Sequence, residues 1–368
     1  MLIFTNRAYD PSREPLERFT CHFNAQTPGA FVAARVDGAS AEIVADAVTP
    51  AQQADLFVRE CLASESPTLL YMHGFNNTVA DVFARSRAFA TYYGVNVVAI
   101  TWPSEGAAGP DGISQAEVTD SDPEAANSLV ASVRRSKGIA DRYGQARKNA
   151  RVTALALEGF LAEVTRAWNE KGGGAQSPTL AVHSLGNYVL QNALESPQSS
   201  VDVDAFANVV LLAPDADGVG HAAWLKQAGK QPEPGAGIAR VIVTVNRNDW
   251  VLAAANIFNK KQRLGTYGFG GQHLTNESYN AIYLDCTVAS KQAAGHSYFV
   301  DADSLGSDPK PTRLRRVMQL ALSGKPLPTV NSVQNKKKYY GSGVYASPPI
   351  ADVEIVPVSS EPSLGDWP

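Results

Sequence analysis

Short runs of apolar and β-branched residues recur along the chain and predict β-strands. From residue 68 onward these runs are apolar at almost every position instead of alternating with polar residues. Continuous runs of this kind are typical of parallel strands that are buried on both faces of a sheet. The predicted strands span residues 2–5, 31–36, 68–72, 96–101, 179–183, 208–213, 240–245 and 281–286.

Segments with a helical spacing of apolar residues lie between these strands. The longest, 149–169, stops shortly before three consecutive glycines, and the segment 78–93 follows Asn77, a residue type that favours the N-cap. The alternation of strand and helix predicts an α/β fold with a mostly parallel central sheet and helices on both of its faces. The predicted helices span residues 51–62, 78–93, 149–169, 185–194, 250–259 and 312–322.

Two segments interrupt this alternation. Residues 103–148 form a long connection after the strand 96–101, and connections of this length commonly serve as lids or binding loops. Residues 326–368 are rich in Pro, Ser and Gly and predict a weakly ordered C-terminal tail. We therefore expect a single domain over 1–325, with an N-terminal extension at 1–64 and an insertion, a candidate lid, at 103–148.

The composition argues against several classes of protein. The 368 residues include 32 Lys and Arg against 36 Asp and Glu, a net charge of −4, so the basic excess typical of nucleic-acid binding is missing. No run is long and apolar enough to predict a membrane span, and the first residues lack the pattern of a signal peptide. The three cysteines are scattered, which favours reduced thiols and a cytoplasmic location.

The sharpest local feature is the sequence AVHSLGN at 181–187, between a predicted strand and a predicted helix. It has the form of the nucleophile elbow, G-x-S-x-G, with Val182 in place of the first glycine. A tight strand-to-helix turn holds the serine hydroxyl clear of the sheet and requires small neighbours, a requirement that Gly186 meets. Ser184 is therefore the candidate nucleophile, although Ser-x-Gly alone is a common sequence.

A second feature, YMHGFNN at 71–77, follows the predicted strand 68–72. A His-Gly loop at this point of an α/β hydrolase supplies one N–H of the oxyanion hole, and the residue after the nucleophile supplies the other. The candidate donors are the amides of Phe75 and Leu185. His73 and Gly74 are expected to structure the loop rather than to carry protons, and the alternative is a glycine turn that only ends a strand.

The serine needs a base, and in this fold the chain order is Ser, then Asp or Glu, then His. Three histidines follow Ser184, namely His221, His273 and His296. We favour His296, because it lies in a loop shortly after the predicted strand 281–286. The preceding Gly295 lets the backbone approach closely.

Two positions compete for the acid that orients this histidine. Asp249 follows the predicted strand 240–245, which is the penultimate core strand and the usual place for the acid. Asp215 follows the strand 208–213 and is the alternative acid, with a structural or substrate-lining role if Asp249 is correct. We favour Asp249.

Several segments together resemble a known family. LLYMHGFNN, AITWPS, AVHSLGNYVLQNAL, LLAPDAD, NRNDWVL, GHSYF and the opening IFTNR resemble segments of bacterial α/β hydrolases grouped as a domain of unknown function, and they occur in the expected order. The resemblance covers roughly residues 1–325. It implies an α/β-hydrolase fold and the triad Ser184, Asp249 and His296, but it implies no particular substrate.

These features predict a serine hydrolase that cleaves a small-molecule carboxylic ester or thioester through an acyl-enzyme, without a cofactor or a metal. The alternatives are an acyltransferase on the same fold and a non-catalytic binding protein on a hydrolase scaffold. Trp102, Trp250 and Phe75 are candidates for lining an acyl pocket, and core packing is the favoured role of Trp102 and Trp250. The oligomeric state cannot be read from the sequence.

Overall fold

A ten-stranded β-sheet forms the centre of the fold. The computed structural model describes residues 1–106, 129–172, 175–197, 199–228, 241–266, 281–307, 310–327 and 345–347. His273, residues 107–128 of the predicted insertion and most of the predicted tail lie outside these residues. The strands of the described part are β1 Leu2–Thr5, β2 Arg7–Tyr9, β3 Phe19–Phe23, β4 Val32–Val36, β5 Ala41–Ile43, β6 Thr68–Met72, β7 Asn96–Thr101, β8 Thr179–His183, β9 Asn208–Leu212, β10 Val241–Val245, β11 Ala281–Asp285 and β12 Tyr345–Ser347.

The strand order in the sheet is β12-β11-β10-β9-β8-β6-β7-β1-β4-β5. The seven neighbouring strands from β11 to β1 pair in parallel, whereas β4 and β5 at one edge and β12 at the other pair antiparallel. The short strands β2 and β3 pair separately. All eight predicted strands are confirmed to within one residue. The six from β6 to β11 are apolar and buried along almost their whole length, as expected for strands covered on both faces of the sheet.

The helices of the described part also follow the predicted pattern. The helix α2 begins at a capping box in which the Thr78 hydroxyl accepts from the Asp81 N–H and the Asp81 carboxylate accepts from the Thr78 N–H. The N-cap is therefore Thr78, and the expectation of Asn77 was wrong by one residue. The helices are α1 Pro50–Ala63, α2 Val79–Tyr93, α3 Leu129–Lys171, α4 Gly186–Glu195, α5 His221–Leu225, α6 Trp250–Asn259, α7 Ala302–Leu305 and α8 Arg313–Leu322.

Helices cover both faces of the sheet. Along β6 the side chains alternate between two buried apolar clusters: Leu70 and Met72 belong to the cluster that contains residues of α1, α3 and α4. Leu69 and Tyr71 belong to the cluster that contains residues of α2 and α8. This arrangement confirms the predicted α/β-hydrolase architecture, in which all carboxyl ends of the parallel strands meet at one edge.

Several elements of the described part differ from the sequence-based expectations: the helix α3 is longer than predicted, and no pattern predicted β2, β3, β5, β12, α5 and α7. The helix α3 begins at Leu129 rather than at 149, so the last part of the segment 103–148 is helical. The N-terminal residues 1–64 contribute β1, β4 and β5 to the central sheet and α1 to one face. Residues 345–347 of the predicted tail form β12. Within the described ranges, no helix has both the length and the apolar character needed to cross a bilayer.

Candidate active site

Ser184 occupies a tight turn between β8 and α4. Its φ of +51° lies in the left-handed region, which costs a residue with a side chain roughly 1–3 kcal/mol and is typical of functional turns. Gly186 makes this turn sterically feasible, since a Cβ there would stand 2.6 Å from the carbonyl oxygen of His73. The Asn187 side chain also donates to the carbonyls of Val182 and Ser184. The packing of Gly186 against His73 and the hydrogen bonds of Asn187 therefore both hold the turn in place.

The structure brings Ser184, His296 and Asp249 together in one hydrogen-bonded chain. The Ser184 Oγ lies 2.9 Å from His296 Nε2, and His296 Nδ1 lies 2.7 Å from Asp249 Oδ2. Because the carboxylate can only accept, the Nδ1 carries the hydrogen and the Nε2 is left to accept from the serine hydroxyl. Asp249 is 1 % exposed, and its Oδ1 accepts from the N–H of Leu252 in the first turn of α6.

The loop that carries His296 is fastened to the end of β10. Gly295 has a φ of +65°, and a Cβ there would stand 2.9 Å from the Asn246 side-chain nitrogen. Asn246 donates to the Gly295 carbonyl at 2.6 Å. The Gln292 side chain accepts from the backbone N–H groups of His296 and Ser297. The sequence analysis missed Asn246 and Gln292, because their role depends on contacts that no motif encodes.

Asp215 and His221, the alternative acid and one alternative base, have other partners. The Asp215 carboxylate accepts from Arg263 Nε at 2.6 Å and from the Tyr143 hydroxyl at 2.7 Å. The backbone N–H of Asp215 donates to the Ser184 carbonyl, so Asp215 contacts the backbone of the nucleophile rather than its hydroxyl. The ring nitrogens of His221 lie 2.6 Å from the Gly218 carbonyl and from the Tyr283 hydroxyl. His296 is therefore oriented by Asp249.

The loop after β6 lies directly against the nucleophile. A Cβ on Gly74 would stand 2.5 Å from the Ser184 Cβ, so only glycine allows this approach. Among the hydrogen bonds of the described residues, none uses the backbone N–H of Phe75 or of Leu185. Leu185 is fully buried, where an unused backbone donor is rare, and Phe75 is half-buried. Leu185 also stands at the start of α4, where the helix dipole adds partial positive charge.

His73 holds this loop from inside the protein. Its ring is fully buried and stacks on the Trp102 indole, and burial lowers its pKa well below the ordinary value. The neutral ring donates from Nδ1 to the Gly74 carbonyl at 2.9 Å and accepts at Nε2 from the Trp102 N–H at 3.1 Å. His73 therefore ties the loop after β6 to the end of β7.

Arg7, which the sequence analysis did not single out, braces the same loop. Its buried guanidinium donates to the Asn77 carbonyl at 2.7 Å, to Thr101 Oγ1 at 3.0 Å and to the Glu105 carboxylate at 2.6 Å. Thr101 Oγ1 lies in turn 3.0 Å from His73 Nε2. In the sequence, Arg7 was marked only as part of the IFTNR segment, which resembled the start of the hydrolase family and gave no role for this residue.

His183 was also missed, although it precedes the nucleophile. Its ring centroid lies 4.9 Å from that of His296, and its Nδ1 accepts from Arg85 Nη1 at 3.0 Å. Burial first, and the nearby Arg85 guanidinium second, lower the pKa of His183 well below the ordinary value. His183 is therefore a neutral ring packed against His296.

Within the ranges that the structure describes, no cluster of three or more His, Cys, Asp and Glu side chains has the arrangement of a metal site. The expected core position is confirmed for Trp102, which is fully buried, and is wrong for Trp250, which is 62 % exposed. Trp250 is exposed because it lies on the outward face of α6. The prediction failed because helical spacing shows that a helix has two faces but does not show which of them is buried.

The sheet, the strand-to-helix turn at Ser184 and the loop after β6 have the architecture of an α/β hydrolase. A family model described as alpha/beta hydrolase of unknown function (DUF900) matches residues 51–308, which is most of the chain. The chain belongs to this family, as the sequence resemblance predicted. Comparisons with curated proteins and with solved structures gave no match. Arg7 and β1 lie before the matched residues.

Proposed function

We propose that this α/β hydrolase is a serine hydrolase that cleaves a carboxylic ester or thioester through an acyl-enzyme. The observation that carries the proposal is the hydrogen-bonded chain from Ser184 through His296 to the buried Asp249, with distances of 2.9 Å and 2.7 Å. An oriented nucleophile, base and acid of this kind are the parts that acyl transfer requires.

In the first half of the reaction, Ser184 Oγ attacks the substrate carbonyl carbon while His296 Nε2 takes the hydroxyl proton. The tetrahedral intermediate collapses, the bond to the leaving alcohol or thiol breaks, and His296 returns the proton to the leaving oxygen or sulfur. Asp249 holds the Nδ1–H of the imidazole and stabilises its cation. Water, which gives a proton to His296, then attacks the acyl carbon; the bond to Ser184 Oγ breaks, His296 returns the proton to Oγ, and the carboxylic acid is released.

The amides of Phe75 and Leu185 are the proposed oxyanion donors. Neither amide is used by another hydrogen bond of the described residues; Leu185 follows Ser184 in the turn, and Phe75 follows Gly74, which lies against Ser184. One such donor is typically worth ~2.7–4 kcal/mol of transition-state stabilisation. In this proposal His73, Gly74 and Gly186 position the two amides and the nucleophile through the contacts described above.

A fluorophosphonate probe, which reacts with activated serines, tests the proposal. We expect the wild-type protein to be labelled and Ser184→Ala to lose the label. Ser86→Ala is the matched control, since Ser86 is also buried but its hydroxyl donates to the Val82 carbonyl within α2. We expect that variant to be labelled like the wild type.

A panel of p-nitrophenyl esters of increasing acyl length, and thioesters of the same acids, then defines the substrate. A folded wild-type protein that is neither labelled nor active on any member of the panel would contradict the proposal and favour the non-catalytic binding protein. Product analysis with added alcohols distinguishes hydrolysis from acyl transfer, because an acyltransferase forms the new ester in preference to the acid.

A further inference from the structure

The outward face of α6 is apolar at every exposed position. Two polar residues of the helix point inward instead: the Asn256 side chain donates to Thr266 Oγ1 and the Asn259 side chain donates to the Tyr143 hydroxyl. This is the reverse of an ordinary surface helix, which turns its polar face to water. The exposed residues of α6 are Trp250, Val251, Ala253, Ala254, Ile257 and Phe258.

Two further exposed valines follow residues that hydrogen-bond next to the two ends of α6. Val288 follows Thr287, whose hydroxyl accepts from the N–H of Arg247, and Val219 follows Gly218, whose N–H donates to the Gln262 carbonyl. Six of the eleven exposed large hydrophobic residues of the described chain thus lie on or beside one ten-residue helix. Contiguous apolar surfaces of this kind usually mark a binding site. We call these six residues the α6 surface: Val219, Trp250, Val251, Ile257, Phe258 and Val288.

The α6 surface is continuous with the candidate active site. The helix begins directly after Asp249, which is its N-cap. At the other end, the Phe258 ring packs edge-on against Tyr143 with centroids 4.9 Å apart. Tyr143 packs in the same way against Phe75, at 5.5 Å. Three packed aromatic rings therefore connect the α6 surface with the loop beside Ser184.

Basic side chains flank the α6 surface at both ends. Arg247 precedes the helix and Lys260 and Lys261 follow it, and all three are exposed. Arg247 and Lys261 each contact one carboxylate, of Asp285 and of Asp217, at 3.2 Å. Their outer parts remain accessible to a further anionic group.

We propose that the α6 surface docks on the surface of a phospholipid bilayer and that the site takes its ester from that bilayer. The second clause rests on the proposed function, whereas the docking itself does not. A helix with Trp and Phe on its apolar face and Lys or Arg at its borders lies in the headgroup region with the apolar face inserted by ~5–10 Å. The ten residues of α6 span about 15 Å, enough for one such contact.

A bilayer fits this surface better than a second protein chain. The exposed apolar residues of the face belong to one helix, and the exposed charged residues that adjoin it in the chain are basic, which suits lipid phosphates. The packed rings of Phe258, Tyr143 and Phe75 place apolar groups on the side of the loop beside Ser184 that faces α6, where an acyl chain drawn from the bilayer would be favoured. The chemical class of substrate is then an ester of a long acyl chain.

Co-sedimentation with phosphatidylcholine vesicles, with and without phosphatidylglycerol, tests the docking directly. We expect the wild type to sediment with the vesicles, more so with the anionic lipid, and Ile257→Glu to bind about tenfold more weakly or not at all. Ile257 is 80 % exposed, so the substitution leaves the core intact. Leu155→Glu is the matched control, because Leu155 is a 62 % exposed apolar residue of α3 outside the α6 surface. It should bind like the wild type.

Activity on two esters separates this proposal from the proposed function. We expect Ile257→Glu to lose about tenfold of its activity on a long-chain ester in vesicles and none on a soluble short-chain ester. Absence of vesicle binding by the wild type, or equal binding by both Glu variants, overturns the docking. So does a wild-type dimer that Ile257→Glu dissociates without any effect on vesicles. A wild type that binds vesicles but cleaves no ester overturns the proposed function, and with it the clause that the ester comes from the bilayer, but leaves the docking intact.

Discussion

Adding one methyl group to Gly74 should disable the site without unfolding the protein. The Cβ of an alanine there would stand 2.5 Å from the Ser184 Cβ, 3.0 Å from its Oγ and 3.1 Å from the His183 carbonyl oxygen. Carbon atoms in contact are ordinarily ~3.5–4.0 Å apart. One of the two segments must therefore move by about 1 Å.

Neither segment can move without cost. Ser184 has a left-handed φ and is closely packed through Gly186 against His73, and the loop of Gly74 is held by the His73 ring. Overpacking of this kind costs typically ~1–3 kcal/mol of stability. A displacement of ~1 Å between reacting groups costs about 10²-fold in rate. We expect Gly74→Ala to lose at least about 10²-fold in kcat/KM while the melting temperature falls by only a few degrees.

The assay compares ester hydrolysis and thermal melting of Gly74→Ala with those of Gly138→Ala. Gly138 lies in α3, and a Cβ added there would meet no atom within 4 Å, so the same substitution should raise stability by up to ~1 kcal/mol and leave activity unchanged. If Gly74→Ala keeps wild-type kcat/KM, the loop and the turn at Ser184 are not packed as described and the reasoning fails.

Three further predictions concern residues around the same site. Asp249→Asn should lower kcat by about 10⁴-fold, as expected for the orienting acid of a triad. Asp215→Asn should instead lower the melting temperature by disrupting the buried pair with Arg263, and the reverse outcome would reassign the acid. Arg7→Lys should reduce kcat more than it raises KM, because the hydrogen bonds to Thr101 and Asn77 are lost; unchanged steady-state kinetics would exclude Arg7 as a positioning residue. The lowered pKa of buried His183 means that the unfolded state takes up a proton that the folded state does not, so His183 should lower the free energy of unfolding by up to ~1.4 kcal/mol per pH unit as the pH drops below about 6.5, and the lowered pKa of His73 acts in the same direction. Urea titrations between pH 7.5 and 5 measure this slope, which should be smaller in His183→Asn and would disprove the argument if it were unchanged.

Local patterns in the chain predicted most of the strands and helices. Buried parallel strands require continuous apolar runs, and such runs are visible without any partner. The candidate nucleophile, base and acid could also be predicted from the sequence, because Ser184, Asp249 and His296 each follow a predicted strand in a characteristic order.

Helix boundaries and edge strands were harder to predict from the sequence. The first part of α3 contains two glycines and many charged residues, so its helical spacing is weak. The strand β5 has only three residues, two of them exposed, and gains its place by pairing with β4. These elements form because the packed sheet and its neighbours stabilise them, and tertiary context overrides local propensity.

The sequence by itself determined the fold class, the order of the strands along the chain and the residue types at the candidate site, since these depend on local burial patterns and turn chemistry. Only the tertiary structure decided that Asp249 rather than Asp215 contacts His296, that Arg7 braces the loop after β6, and that α6 turns its apolar face to water. The physical reason is that each of these depends on contacts between segments that are distant in the chain. Periodicity shows that a helix has two faces, whereas only packing decides which one is buried.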